Sequence, residues 1–207
     1  ALSANNVSGN KNIAIGLSPA YQITSGEDNI AIGSNALAYT TTASDNIAIG
    51  QYSSHRTGQY NAASNVITIG RFSGYYSQGN NNIFMGYYSG HGNSANAHSP
   101  GVNNVGIGYQ SFFSFISGSY NVAVGGNTLY NNQHGEYNVA IGLGAGDHAT
   151  GSYNTFVGGL AGTGGTTSAP FSSGADNTAV GYYSLTSFRT GNKNTAIGRQ
   201  SLYLLTE

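Results

Sequence analysis

Short apolar triplets recur along this chain, each led by an asparagine and closed by a glycine. The unit reads Asn-x-x-aliphatic-Gly, and it is first written as Asn12-Ile13-Ala14-Ile15-Gly16. Asn29 to Gly33, Asn46 to Gly50, Asn82 to Gly86, Asn104 to Gly108 and Asn121 to Gly125 repeat it, as do Asn138 to Gly142, Asn154 to Gly158, Asn177 to Gly181 and Asn194 to Gly198. One further copy, Val66 to Gly70, moves its asparagine out to Asn65. Successive closing glycines are separated by 17, 17, 20, 16, 22, 17, 17, 16, 23 and 17 residues. Repetition on this scale is the signature of a stacked architecture.

Alternation with period two inside each unit predicts a strand rather than a helix. In Ile13-Ala14-Ile15 the two isoleucines share one face and the small alanine takes the other. A five-residue strand cannot bury an apolar face alone, so the expected fold is all-β, a parallel β-roll or β-solenoid of about eleven ~17-residue coils forming one domain over 1–207. Coils spaced by ~4.8 Å would give a rod on the order of 50 Å. In this reading the isoleucines form an interior ladder, and another backbone or sheet approaches the alanine positions. The asparagines align along the axis, where their amides both donate and accept. A second glycine lies seven residues before the closing one in nine copies (Gly9, Gly26, Gly79, Gly101, Gly118, Gly135, Gly151, Gly174 and Gly191). A small Ser, Ala or Thr follows three residues after the closing glycine in ten, and the glycines fit turn positions with φ > 0.

Charge is scarce: 6 Lys+Arg and 7 Asp+Glu make 6% of 207 residues, against roughly 25% in an ordinary domain. With a net charge of −1 there is no basic stripe, so nucleic acid is not an expected partner. Apolar runs fall far short of the ~20 residues of a membrane helix, so membrane insertion is not expected of this segment. No signal peptide or lipidation motif is read at either end, which leaves export or anchoring to sequence outside it. No cysteine is present, which removes disulfides and thiolate metal sites. Lys11, Glu27, Asp28, Asp45, Glu136, Asp176 and Lys193 all fall on the two sites before the motif asparagine, which are therefore expected to be wet turn tips.

Catalytic chemistry is thin, and no catalytic, cofactor or metal residue is assigned. The five histidines, His55, His91, His98, His134 and His148, fall in expected loops as solvated side chains. Asp147-His148 is an adjacent pair whose side chains should diverge on an extended backbone. Glu27-Asp28 is the one adjacent carboxylate pair, and it sits on a turn tip; a polysaccharide-cutting enzyme would need two acids meeting in a groove. Gly142-Leu143-Gly144-Ala145-Gly146-Asp147 has neither a lysine nor a following helix, so it is a repeat junction and not a phosphate loop. The 16 tyrosines and 8 phenylalanines cluster at fixed sites, which points either to stacked ladders or to a recognition face. Steps longer than 17 leave the coil as loops, where a solenoid presents function. His55, Arg56, Tyr60, His91, His98 and Phe171, on or beside those loops, are the candidate receptor contacts.

Asn-Ile-Ala-Ile-Gly-x-x-Ala and Asn-Thr-Ala-Val-Gly-Tyr-Tyr-Ser resemble the head repeats of trimeric autotransporter adhesins of the Yersinia adhesin type. The ~17-residue period, and Asn194-Thr195-Ala196-Ile197-Gly198-Arg199-Gln200-Ser201-Leu202-Tyr203, are more similar to repeats of bacteriophage tail fibres. The resemblance implies a left-handed, three-chain β-roll, so that the partners are two further copies of the chain and a host-surface glycan or protein. It implies a passive attachment role on a virion surface, or on a bacterial surface in the adhesin case. The apolar run Phe112-Phe113-Ser114-Phe115-Ile116 would then be buried between chains or form an exposed sticky patch.

Overall fold

A computed structural model describes residues 8–55, 63–93, 99–165 and 171–205. It contains eleven three-residue strands: β1 (Ile13–Ile15), β2 (Ile30–Ile32), β3 (Ile47–Ile49), β4 (Ile67–Ile69), β5 (Ile83–Met85), β6 (Val105–Ile107), β7 (Val122–Val124), β8 (Val139–Ile141), β9 (Thr155–Val157), β10 (Thr178–Val180) and β11 (Thr195–Ile197). They form a single parallel sheet in sequence order. Each triplet pairs in register with the next, as in Ile13↔Ile30 and Ile107↔Val124. The chain is therefore a β-solenoid, one coil, or tier, per repeat. Among the described residues no helix is long and apolar enough to cross a membrane.

The interior differs from the sequence expectation in one decisive respect. The central residue of each strand, small in most, points inward, and Ala31, Ala48, Ala123, Ala140 and Ala179 are fully buried. The aliphatic pairs face outward: Ile15 is 58% exposed and Ile141 42%, and the residues two beyond them, Leu17 and Leu143, reach 72% and 65%. The isoleucines do stack tier upon tier, but on the outside of the coil. A 17-residue coil encloses too little space for two large side chains per strand, so its core uses one strand residue and two from the far side. These last lie four and seven residues after the closing glycine, for example Phe112 and Phe115 with Gly106. The apolar run 112–116 therefore feeds the coil's own core with both of these phenylalanines, neither a contact between chains nor an exposed patch.

The core positions trade volume. Where the strand supplies alanine, the position four after the closing glycine is commonly leucine, as in Ala31 with Leu37, Ala123 with Leu129 and Ala179 with Leu185. Where the strand supplies the buried Phe84 or Phe156, that position is Gly90 or Gly162, and a β-carbon on either glycine would collide with the ring. Close packing of this kind leaves no room for both.

Each coil turns through four left-handed residues, at offsets −5, 0, +2 and +4 from the closing glycine. In the tier closing at Gly125 they are Tyr120 (φ 60°), Gly125 (133°), Asn127 (53°) and Leu129 (47°). Side chains other than glycine occupy 28 such positions among the described residues. That conformation is costly for L-residues, and neighbouring tiers hold it in place. The +2 amide donates back one tier (Asn127 to the Tyr109 carbonyl, 2.9 Å) and the +4 amide donates forward (Leu129 to the Ala145 carbonyl, 3.0 Å). The closing glycine fits its expected positive φ. The leading glycine has a different reason: a β-carbon on Gly151 would run into the Gly174 carbonyl, because these backbones stack in direct contact.

The asparagines form the expected ladder. Asn29, Asn46, Asn121, Asn138, Asn177 and Asn194 each send both backbone N–H and side-chain Nδ2 to the Oδ1 of the asparagine one tier before, at 2.9–3.2 Å. Where a further tier follows, the Nδ2 also donates to the carbonyl at the leading-glycine position of that tier, as Asn121 does to Gly135 at 2.9 Å. Val66 interrupts the side-chain ladder while its own N–H still donates to Asn46 Oδ1 at 3.0 Å. The charged residues before the asparagines are all exposed, as expected, and Lys11 lies 3.7 Å from Asp28.

Candidate binding edge and cavity

In the three longest steps of the repeat the described chain stops five to seven residues past the closing glycine, at His55, Asn93 and Gly165. In two of them the chain rejoins the stack as a parallel bridge, Ser77 with Ser99 and Ala149 with Ser172. The same device closes both bases. Ser99 Oγ accepts the Asn93 amide (3.2 Å) and donates to the Phe115 carbonyl (2.9 Å), while Ser172 Oγ accepts the Gly165 amide (2.9 Å) and donates to the Phe188 carbonyl (2.7 Å). The serine hydroxyl does what a backbone group would do in a tier of regular length.

Beside these bases run two aromatic columns, generated by the +2 and +5 offsets. At +2, Tyr52, Phe72 and Tyr88 stack face to face at 5.2 and 4.9 Å. At +5 the column is His55, Tyr75, His91, Phe113 and Tyr130, with centroids 5.1, 5.5, 4.9 and 4.9 Å apart, the last three pairs within 10° of parallel. Edge contacts such as Tyr88–His91 at 4.9 Å lock one column to the other. A separate exposed stack, Tyr120, Tyr137 and Tyr153, rises along the turn tips at 4.8 and 5.2 Å.

His55 and His91 are therefore members of the column and not solvated loop side chains. Burial lowers the His91 pKa to about 4, partly opposed by the bond between its Nδ1 and the Gly92 carbonyl at 3.0 Å. The folded form resists protonation while the unfolded chain accepts it near pH 6.5, so stability is complete above about 6.5 and falls as pH drops toward 4. The expected loss across that window is up to about 3 kcal/mol. Denaturant unfolding at pH 7 and at pH 4.5 checks this, and His91→Phe should flatten the difference.

The +2 column ends at Tyr88 and the +5 column at Tyr130. The next +5 residues are Asp147 and Thr163, and the +2 residues become Gln110, Asn127 and Gly144. Loss of ring volume opens a cavity of about 390 Å³ lined by Tyr130, Asp147, His148, Phe171 and the amides of Gln110, Asn127 and Asn131. Asp147 and His148, expected to diverge, both reach it. Desolvation raises the Asp147 pKa, with the His148 charge opposing. Asn127 Oδ1 and His148 Nδ1 are buried without a hydrogen-bond partner, a condition that costs roughly 1–3 kcal/mol per group. A second hollow of about 210 Å³ lies between His91, Asn93, Phe113 and Ser114.

Of the candidate receptor contacts, His91 lines the smaller hollow and Phe171 the larger, while His55 is buried in the column. Arg56, Tyr60 and His98 lie outside the described residues. Sequence reasoning missed Gln110, Asn127, Tyr130 and Asn131. Counting offsets from the closing glycine would have found the first three, because +2 and +5 are where the ring ladder stops, whereas Asn131 at +6 carries no such signal. Among the described residues no three His, Cys, Asp or Glu side chains gather to hold a metal ion. No protein-family model, no curated protein and no solved structure matches the chain.

Proposed function

We propose that this chain is a structural and adhesive fibre module of a phage tail fibre or similar virion appendage. In this reading it stands as a homotrimeric rod that presents one loop-bearing edge of each chain to a host-surface glycan or protein. The observation that carries the reading is the aliphatic face. The third-position ridge, Ile15 to Ile197, is aliphatic or methionine along the whole sheet. The first-position ridge turns from Ile and Val to Thr in the last three strands, and both ridges are uncharged and partly exposed in a single chain. Continuous apolar surface of this extent marks an interaction site. Its ridges recur at the ~4.8 Å tier spacing, and a partner that matches them from end to end must have the same rise. A second copy of the chain satisfies this, and closed assembly of identical rods satisfies it for every copy. The aromatic columns use the +2 and +5 offsets and not the strand positions, and repeated chains add avidity.

Native mass measurement tests the reading. The expected value is three times the 21.3 kDa of one chain. Ile49→Asp combined with Ile141→Asp should release single chains, since paired carboxylates on the covered face cannot be desolvated without cost. A single-chain mass for the unaltered, folded protein would overturn it.

A further inference from the structure

We propose that the cavity below Tyr130 binds one or two rings of an uncharged saccharide, with the Tyr130 and Phe171 rings as its apolar walls and the amides of Asn127 and Asn131 as its hydrogen-bonding wall. The proposal deepens the attachment reading, and its host-glycan sense rests on that reading; the chemistry of the cavity does not.

Its size falls at the small end of ligand sites, which run roughly 300–1,000 Å³, at about 390 Å³. Its lining combines what a sugar ring offers. Planar amides both donate and accept, matching hydroxyls that do the same. Tyr130 stacks on Phe113 at 4.9 Å, yet no ring follows it in the column, so the stack ends at the cavity. Phe171 stands 5.8 Å from His148 and adds a second aromatic ring to the lining. Rings of this kind give flat apolar area at low entropic cost, and neighbouring amides supply adaptable bonds.

The alternatives fit less well. An anionic ligand would meet Asp147 and no lysine or arginine in the lining. A metal ion would lack a third ligand, because no such cluster exists among the described residues. An apolar ligand would leave three amides and a carboxyl unanswered. The partnerless Asn127 Oδ1 and His148 Nδ1 mark a place where the fold alone leaves polar groups unsatisfied. A hydroxyl-bearing guest answers both once the amide and the imidazole turn to meet it.

Saturation-transfer NMR on the intact rod tests this, using glucose, galactose, N-acetylglucosamine, N-acetylgalactosamine and rhamnose with their common disaccharides. At least one should receive transfer, and Phe171→Ala and Asn127→Leu should each weaken its binding by about tenfold or more. Tyr153→Ala, on the separate turn-tip stack, should leave binding unchanged and serves as the control. Melting curves of each variant separate loss of the site from loss of the fold; should Asn127→Leu fail to fold, Phe171→Ala decides. No transfer to any sugar, or transfer that survives Phe171→Ala in a folded rod, would overturn the proposal. Native mass on the same sample keeps the two readings apart. Three chains without sugar binding removes only the cavity, and sugar binding by a single chain removes only the fibre.

Discussion

Asn121→Ala is expected to destabilise the rod by about 3–5 kcal/mol, more than a typical single substitution. The side chain is fully buried at the centre of the second ladder segment. Its Oδ1 accepts from the Asn138 N–H at 2.9 Å and Nδ2 at 3.0 Å, and its own Nδ2 donates to the Gly135 carbonyl at 2.9 Å and Asn104 Oδ1 at 3.2 Å. Alanine leaves the Asn138 amide and the Gly135 carbonyl short of partners in a site closed to water, where each costs roughly 1–3 kcal/mol. Val66→Asn is the matched opposite. In the tier where the ladder is broken, a restored amide should accept from Asn82 and donate toward Gly79, and stability should rise by about 1 kcal/mol. Chemical unfolding with hydrogen exchange at Asn138 measures both. Asn121→Ala within 1 kcal/mol of the parent would show that the ladder is ornament rather than support.

The second large effect is a core exchange. Phe84→Ala should cost about 3–5 kcal/mol through the cavity it leaves. Gly90→Leu alone should fold poorly, because even a β-carbon there strikes the Phe84 ring. Together they should be far less damaging than their sum, restoring the Ala-with-Leu pairing of Ala123 with Leu129 or Ala179 with Leu185. The left-handed backbone at Gly90 (φ 56°) matches that of Leu37 (53°) and Leu129 (47°), so leucine is sterically admissible there. Coupling of this size is what contacting core sites show. Additive losses in a double-mutant cycle would refute the account of the core.

Repeat, strands, register, asparagine ladder and wet turn tips were all legible in the spacing, because each rests on local alternation and identical stacking. Direction was not. Ile15 and Ile32 look like core from bulk alone, and a single sequence does not say how little room a 17-residue coil encloses. The clue was present in the opposed occurrence of Phe84 with Gly90 and of Phe156 with Gly162, which makes sense only if those positions meet inside. The cavity was half legible. Phe171 stood out beside a long step, whereas Asn127 and Tyr130 sit in regular tiers and matter because the rings above them have no successors. His55 and His91 were misplaced because a polar side chain in an expected loop reads as solvated until its column is drawn.

The hydrogen bonds joining consecutive tiers repeat the same donors and acceptors from Gly16 to Gly198. Length is thus a heritable quantity that recombination can alter in whole steps. Excising one 17-residue unit shortens the shaft by ~4.8 Å and rejoins surfaces that already recognise each other. In the proposed homotrimer, all three chains would shorten together. Cuts that part Phe84 from Gly90 or Phe156 from Gly162 would leave a misfit, so such junctions should be rarer among length variants.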